Sequence, residues 1–252
     1  MPVARSPDAS RPRGRYVELL CIPALMLFHR LGYDLVGTLA SSGSRDHAPL
    51  LETAWDRDLP YVAAFILPYL LAWVYPLAIA LYVCVTGRHH RQLFRSIYVT
   101  FFVLTLVECV AWLLFPARIS IRVTPEVLSE SGWLGDLTGY AYDHATPWNV
   151  MPSGHIAFAF LTWRLSRHFA HAAHRWFFFG MFVLITASAL FIKNHFLLDV
   201  VGGLLIGHLA YAYVFRPAFR YRVLSGFSTV GLLAFFGLAT AAMAAVHAWI
   251  TG

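Results

Sequence analysis

The chain has 252 residues, of which 59% are hydrophobic and only 13% charged, and its mean hydropathy is +0.62. These proportions exclude a soluble domain and define an integral membrane protein. The formal net charge of +6 does not imply a nucleic-acid partner, because the basic residues stand in short clusters between apolar segments, where they orient a chain in its bilayer.

Residues 1–16 form a basic tail containing Arg5, Arg11, Arg13 and Arg15. Seven apolar stretches follow, each near the roughly 20 residues a helix needs to cross the hydrocarbon core. They run at about Val17–Leu39, Leu59–Thr86, Ile97–Pro116, Ser153–Ala170, Trp176–Ile192, Phe196–Phe215 and Val223–Ile250. The first reads as a retained helix and not as a cleaved signal peptide, because "HRLGYD" at 29–34 interrupts it with polar residues. Cys21, Cys84 and Cys109 all lie inside apolar runs, which predicts inert core thiols and no disulfide framework. The expected fold class is an all-α polytopic membrane bundle.

Charge sets the expected orientation. Thirteen of the nineteen Lys and Arg residues occupy the tail and alternate connections: Arg5, Arg11, Arg13, Arg15, Arg88, Arg91, Arg95, Arg164, Arg167, Arg175, Arg216, Arg220 and Arg222. The positive-inside rule makes that side cytoplasmic. The protein is expected in the cell membrane with its N-terminus in the cytoplasm. The connections carrying "PSGH" (152–155) and "KNH" (193–195) then share the non-cytoplasmic face.

Those two connections carry the chemistry. Ser153 suits a helix N-cap, Pro152 suits the entry to a helix, and Gly154 lets a ligand approach the backbone. Free N–H groups and the helix dipole at such a terminus favour an anion such as phosphate. His155 stands beside that position, placed to protonate a leaving oxygen. In "HFLLDVVGG" (195–203), His195 and Asp199 are four apart and share one helix face. A carboxylate there fixes the imidazole tautomer and leaves the other ring nitrogen free, as an oriented nucleophile or a metal ligand.

"PSGH" followed by H-x-x-x-D at the start of a later helix resembles the type 2 phosphatidic acid phosphatase superfamily. The resemblance covers about residues 50–215. It implies a six-helix membrane core at 17–222, with the segment 223–252 as an additional C-terminal transmembrane helix. It also implies His195 as a nucleophile that becomes phosphorylated, Asp199 as its orienter, His155 as general acid, and Ser153 and Gly154 as a phosphate cradle. No cofactor and no metal are implied. The expected partners are a phospholipid or sphingolipid substrate and the bilayer, with no nucleic acid.

The chain departs from the family pattern in two places. Its single lysine is Lys193, so the lysine-led first motif is missing, and its nearest counterpart is "FPARISIR" (115–122), with Arg118 and Arg122 as candidate phosphate clamps. Ser188 stands seven before His195 as the family expects, but Ala189 replaces the arginine that should follow. Lys193, four residues further on, either supplies the missing charge or anchors the helix end at the interface. These losses, with "WDRDLPYVAAFILPY" (55–69), look closer to the inositol phosphorylceramide synthase and sphingomyelin synthase-like branch, whose members move a phosphate-bearing headgroup between lipids. The same site then serves a phosphatase or a phosphotransferase. Two other readings are a metal-binding membrane protein and a non-catalytic lipid-binding protein using the same His/His/Asp cluster.

Two further expectations concern residues outside the motifs. His89, His90, His168, His171 and His174 read as headgroup contacts and His208 as a helix-packing group. Glu108, inside the third apolar stretch, is expected to pair with Arg164 or, failing that, with Arg30.

Overall fold

Helix is the only regular backbone form that closes its own hydrogen bonds inside a bilayer without forming a closed barrel, and the computed structural model is built from helices. It describes residues 20–41, 51–86 and 91–251, apart from the side chains of 83–85. The basic tail, the start of the first apolar stretch, Arg45, Arg88, His89, His90 and the Cys84 side chain lie outside the described residues. Cys109 is buried and forms no disulfide.

Helix α1 spans Cys21–Ser41, and a five-residue helix α2 spans Ala54–Asp58. The second apolar stretch becomes α3 (Ile66–Val74) and α4 (Leu77–Thr86), broken at Pro76, which has no N–H to continue the ladder. Then come α5 (Arg91–Leu114), α6 (Pro125–Glu130), α7 (Trp133–Asp143), α8 (Gly154–Ser166) and α9 (Ala172–Phe191). Helix α10 (Leu197–Leu209) runs through a π turn at Ala210–Phe215 into α11 (Arg216–Tyr221). The π turn lies just before Pro217, another residue that cannot donate to the preceding turn. Helix α12 (Thr229–Thr251) closes the chain.

Four of these units are long and apolar enough to cross a membrane: α5, α9, α10 through α11, and α12. The other three expected spans form helices that fall short of that measure for visible reasons. Helix α1 carries His29, Arg30 and Asp34, the second stretch is split at Pro76, and α8 has only 13 residues. Exposed aromatics sit at both ends of the bundle, with Trp176, Tyr213 and Tyr221 at one and Trp55, Phe115, Trp133 and Trp249 at the other, as interfacial belts do.

The core is a continuous apolar cluster that includes Leu25, Ile79, Phe94, Phe101, Leu161, Phe178 and Phe236. Helix α12 lies along α1, where a Cβ on Gly32 would touch Met243. Three glycines of α10 bring α8 against it. A Cβ added at Gly203 would lie 2.6 Å from the Ser153 carbonyl oxygen, one at Gly207 3.0 Å from that of Ala157, and one at Gly202 3.3 Å from Pro152. Helix–helix association in lipid relies on such small residues, and here they place the α10 N-terminus beside that of α8.

The pairing expected of Glu108 is corrected by the structure. Its carboxylate lies 3.4 Å from His29 Nδ1 and makes no ion pair with Arg164 or Arg30. Arg164 instead stacks on the Tyr211 ring at 4.7 Å, and Arg30 pairs with Asp34 at 2.8 Å. Matched depth along two helices does not fix the rotation of either.

Candidate active site

The chain passes from α9 into α10 through the turn 192–196, and from a long connection into α8 at Ser153. Both events occur at the same end of the bundle, and the Ser153 N–H donates to the Asp199 carbonyl at 3.3 Å. His155 and His195 consequently face one another, with ring centroids 5.4 Å apart. Asp199 Oδ2 accepts from the Phe196 N–H at 2.8 Å and lies 3.4 Å from His195 Nδ1. That second distance is beyond a good hydrogen bond but within reach of a charge interaction.

Ser153 occupies the N-cap position of α8, yet its side chain caps nothing. Its hydroxyl instead lies 3.4 Å from His195 Nε2. Among the described residues no backbone group accepts from the N–H groups of Gly154, His155 and Ile156, as an anion-binding helix start requires. Three buried polar atoms without hydrogen-bond partners converge here: His155 Nε2, His195 Nδ1 and Asp199 Oδ1. Unsatisfied groups of this kind are rare in cores; the two histidines belong to the cavity wall, whereas Asp199 lies behind His195 Nδ1. Burial first, and then the Arg122 charge, lower the His195 imidazole to a pKa of about 3, so its ring is neutral at ordinary pH and holds a lone pair.

The three candidate cations separate. Arg122 lines the cavity with His155 and His195. Its Nε donates to Asn194 Oδ1 at 2.9 Å, and its terminal nitrogens donate to the carbonyls of Tyr142 and Ala145 at 3.1 and 3.0 Å. A guanidinium has five N–H donors, so this grip leaves some for an oxyanion. Arg118 is exposed, stacks on Trp148 at 5.6 Å and is not part of the cavity wall. Lys193 also stays off the wall. Helix α9 ends at Phe191 and Lys193 takes a left-handed φ of 57°, so the helical spacing that would put it one turn beyond Ala189 has ended. Its ammonium donates to the carbonyls of Asp56 and Arg57 at 2.5 and 3.3 Å.

The sequence reading missed several residues. Asn194 holds Arg122 through its oxygen and donates to the Tyr69 hydroxyl at 2.6 Å through its nitrogen. Tyr69 in turn stacks on His155 at 4.6 Å, and Trp73 meets the same ring edge-on at 5.1 Å. The adjacency of Asn194 to His195 was the available signal. Asp56, 1% exposed, accepts from the Leu197 N–H at 2.8 Å and from the Thr53 N–H and hydroxyl at 2.8 and 2.6 Å. Together with the Lys193 ammonium, it staples the segment before α3 onto the turn that carries His195.

This staple has a testable consequence. In Asp56→Asn one acceptor oxygen becomes a donor facing other donors, a loss of about 2 kcal/mol. Thermal unfolding in detergent should shift downward, and turnover should fall about tenfold as the His195 turn loosens. Arg118→Ala, measured alongside, should stay within about twofold of the parent, as surface substitutions do.

The fold is that of a polytopic all-α membrane protein in which two histidines, the start of α8 and Arg122 share one cavity. A model of the PAP2 superfamily matches residues 46–213; the chain belongs to that superfamily. No curated protein and no solved structure matches it. Among the described residues no three His, Cys, Asp or Glu side chains form a group able to hold a metal ion.

Proposed function

We propose that the protein cleaves or transfers a phosphate-bearing group of a lipid through a phosphohistidine at His195. The observation that carries this reading is the convergence, on one cavity, of His195, His155, the open α8 N-terminus and Arg122. His195 Nε2 attacks phosphorus, the bond from phosphorus to the lipid oxygen breaks, and His155 gives that oxygen a proton. The α8 N–H groups and Arg122 stabilise charge on the equatorial oxygens. Ser153 and Gly154 shape the cradle and Asp199 orients the nucleophile. In the second step an acceptor oxygen takes the phosphoryl group and His195 is released.

Water as acceptor makes the protein a phosphatase; an alcohol makes it a phosphotransferase, as in the inositol phosphorylceramide synthase and sphingomyelin synthase-like branch. The cavity favours the second outcome, because Leu25, Met26, Phe101, Trp112 and Phe158 continue it below the histidines as an apolar chamber suited to a lipid and poorly suited to water. The test is covalent labelling. Purified protein given phosphatidic acid radiolabelled in its phosphate should acquire label that survives alkali and is lost in acid, as a phosphohistidine does. Steady turnover with no labelled protein at any quench time would overturn the reading.

A further inference from the structure

A second histidine–carboxylate pair adjoins the same cavity, with His29 in its wall and Glu108 beside His29. Glu108 on α5 is fully buried, and neither of its oxygens has a hydrogen-bond partner. His29 on α1 presents Nδ1 to the Glu108 carboxylate at 3.4 Å and to the Thr105 hydroxyl at 3.4 Å. His29 is also part of the wall that holds His155 and His195. The pair presses on the start of α8: a Cβ at Gly154 would lie 3.4 and 3.5 Å from the two Glu108 oxygens and 3.5 Å from His29 Cε1. It therefore adjoins the proposed phosphate cradle, from the apolar side. Glu108 stands six residues before the end of α5 at Leu114, or about 9 Å along the axis.

Packing alone does not account for it. An ionisable carboxylate at that depth is costly, and apolar residues of the same volume serve a helix interface as well or better. Its arrangement repeats that of His195 and Asp199, where the carboxylate also lies 3.4 Å from Nδ1. A carboxylate at Nδ1 leaves Nε2 as the nitrogen that can take a proton from a ligand. The surroundings of the ring, with Phe158 at 4.8 Å and Trp112 at 6.1 Å, suit a hydroxyl carried on an apolar body.

We infer that His29 is the general base for a lipid alcohol that accepts the phosphoryl group, and that Glu108 is its positioning residue; this rests on the phosphohistidine reading above. As the acceptor oxygen forms its bond to phosphorus, the P–N bond to His195 breaks and the electron pair returns to that nitrogen. The hydroxyl proton passes to His29. His155 serves the first step, and hydrolysis by water does not need His29.

The experiment supplies long-chain phosphatidic acid, radiolabelled in its phosphate, with dioctanoylglycerol as acceptor, to the purified full chain in detergent. Phosphoenzyme, free phosphate and labelled dioctanoyl phosphatidic acid are measured separately. The parent protein should form all three. In Glu108→Gln and His29→Gln the ratio of labelled short-chain lipid to free phosphate should fall about 100-fold, the scale of general-base catalysis, with phosphoenzyme formation unchanged. An unchanged ratio in both variants overturns the inference. So does loss of phosphoenzyme in step with product, which would give the pair a role in folding or in the first step, and so does a parent protein that forms phosphoenzyme but no new lipid. A parent protein that turns over without phosphoenzyme defeats the underlying reading instead.

Discussion

His195→Ala is expected to abolish covalent labelling and to lower turnover by about 10³-fold or more, the scale seen when a covalent nucleophile is removed. No nearby group can substitute. His155 is held by a stacked Tyr69 and an edge-on Trp73, and the Ser153 hydroxyl meets the His195 ring. Asp199→Asn should fall less, because Oδ2 is also engaged by the Phe196 N–H and the turn keeps part of its shape. The low pKa of His195 gives a sign for pH dependence. A histidine held near 3 is already deprotonated at pH 5, so the acid limb of the free protein's activity should not report its titration. Rapid-quench labelling across pH 5–8 checks this: a labelling rate constant that climbs with a midpoint near 6.5 would contradict the neutral ring.

Arg122→Gln should cost about 10²–10³-fold in turnover, the magnitude of losing one preorganised donor to a developing charge. Two contributions add. The variant removes the cation that borders the proposed phosphate position, and it removes donors that tie Tyr142 and Ala145 to the α9–α10 turn through Asn194. Arg122→Lys separates them. Lysine restores charge without the planar fork, so the part it recovers measures the electrostatic share. An Arg122→Gln protein with full turnover would remove Arg122 from the site and leave the α8 terminus as the sole phosphate-stabilising element.

His195, Asp199, His155, Ser153 and Gly154 were legible in the sequence because they stand within a few residues of two helix starts, although His195 precedes the cap of α10 instead of sharing its first turn, and the Ser153 side chain caps nothing. Their meeting was legible through the alternation of spans, which put both connections at one end. Arg118 and Arg122 could not be told apart. They share an extended segment, and what separates them is the pairing of Ala117 with Asn149 and of the Ile119 N–H with the Pro147 carbonyl, contacts between segments some 30 residues apart. Lys193 was left between two roles because helical periodicity, carried two residues past the end of α9, set it one turn beyond Ala189. Glu108 and His29 were individually visible as odd residues in apolar runs. Their contact depends on how α1 and α5 are rotated, and no pattern along one chain records that.

The glycines of α10 also decide where this cavity can adjust. The helix that follows His195 and the helix whose N-terminus would hold phosphate touch backbone to backbone at Gly203, with less than a methyl group of clearance. One jaw of the site is therefore stiff: its spacing is set by main chain, and no change of rotamer can widen it. A bulkier substrate would have to be admitted by the opposite wall, the short α3 that carries Tyr69 and Trp73 and is separated from α4 at Pro76. Tyr69 and Trp73 also hold the His155 ring, and Tyr69 accepts from Asn194, so a change that widens this wall is expected to disturb the proposed acid as well.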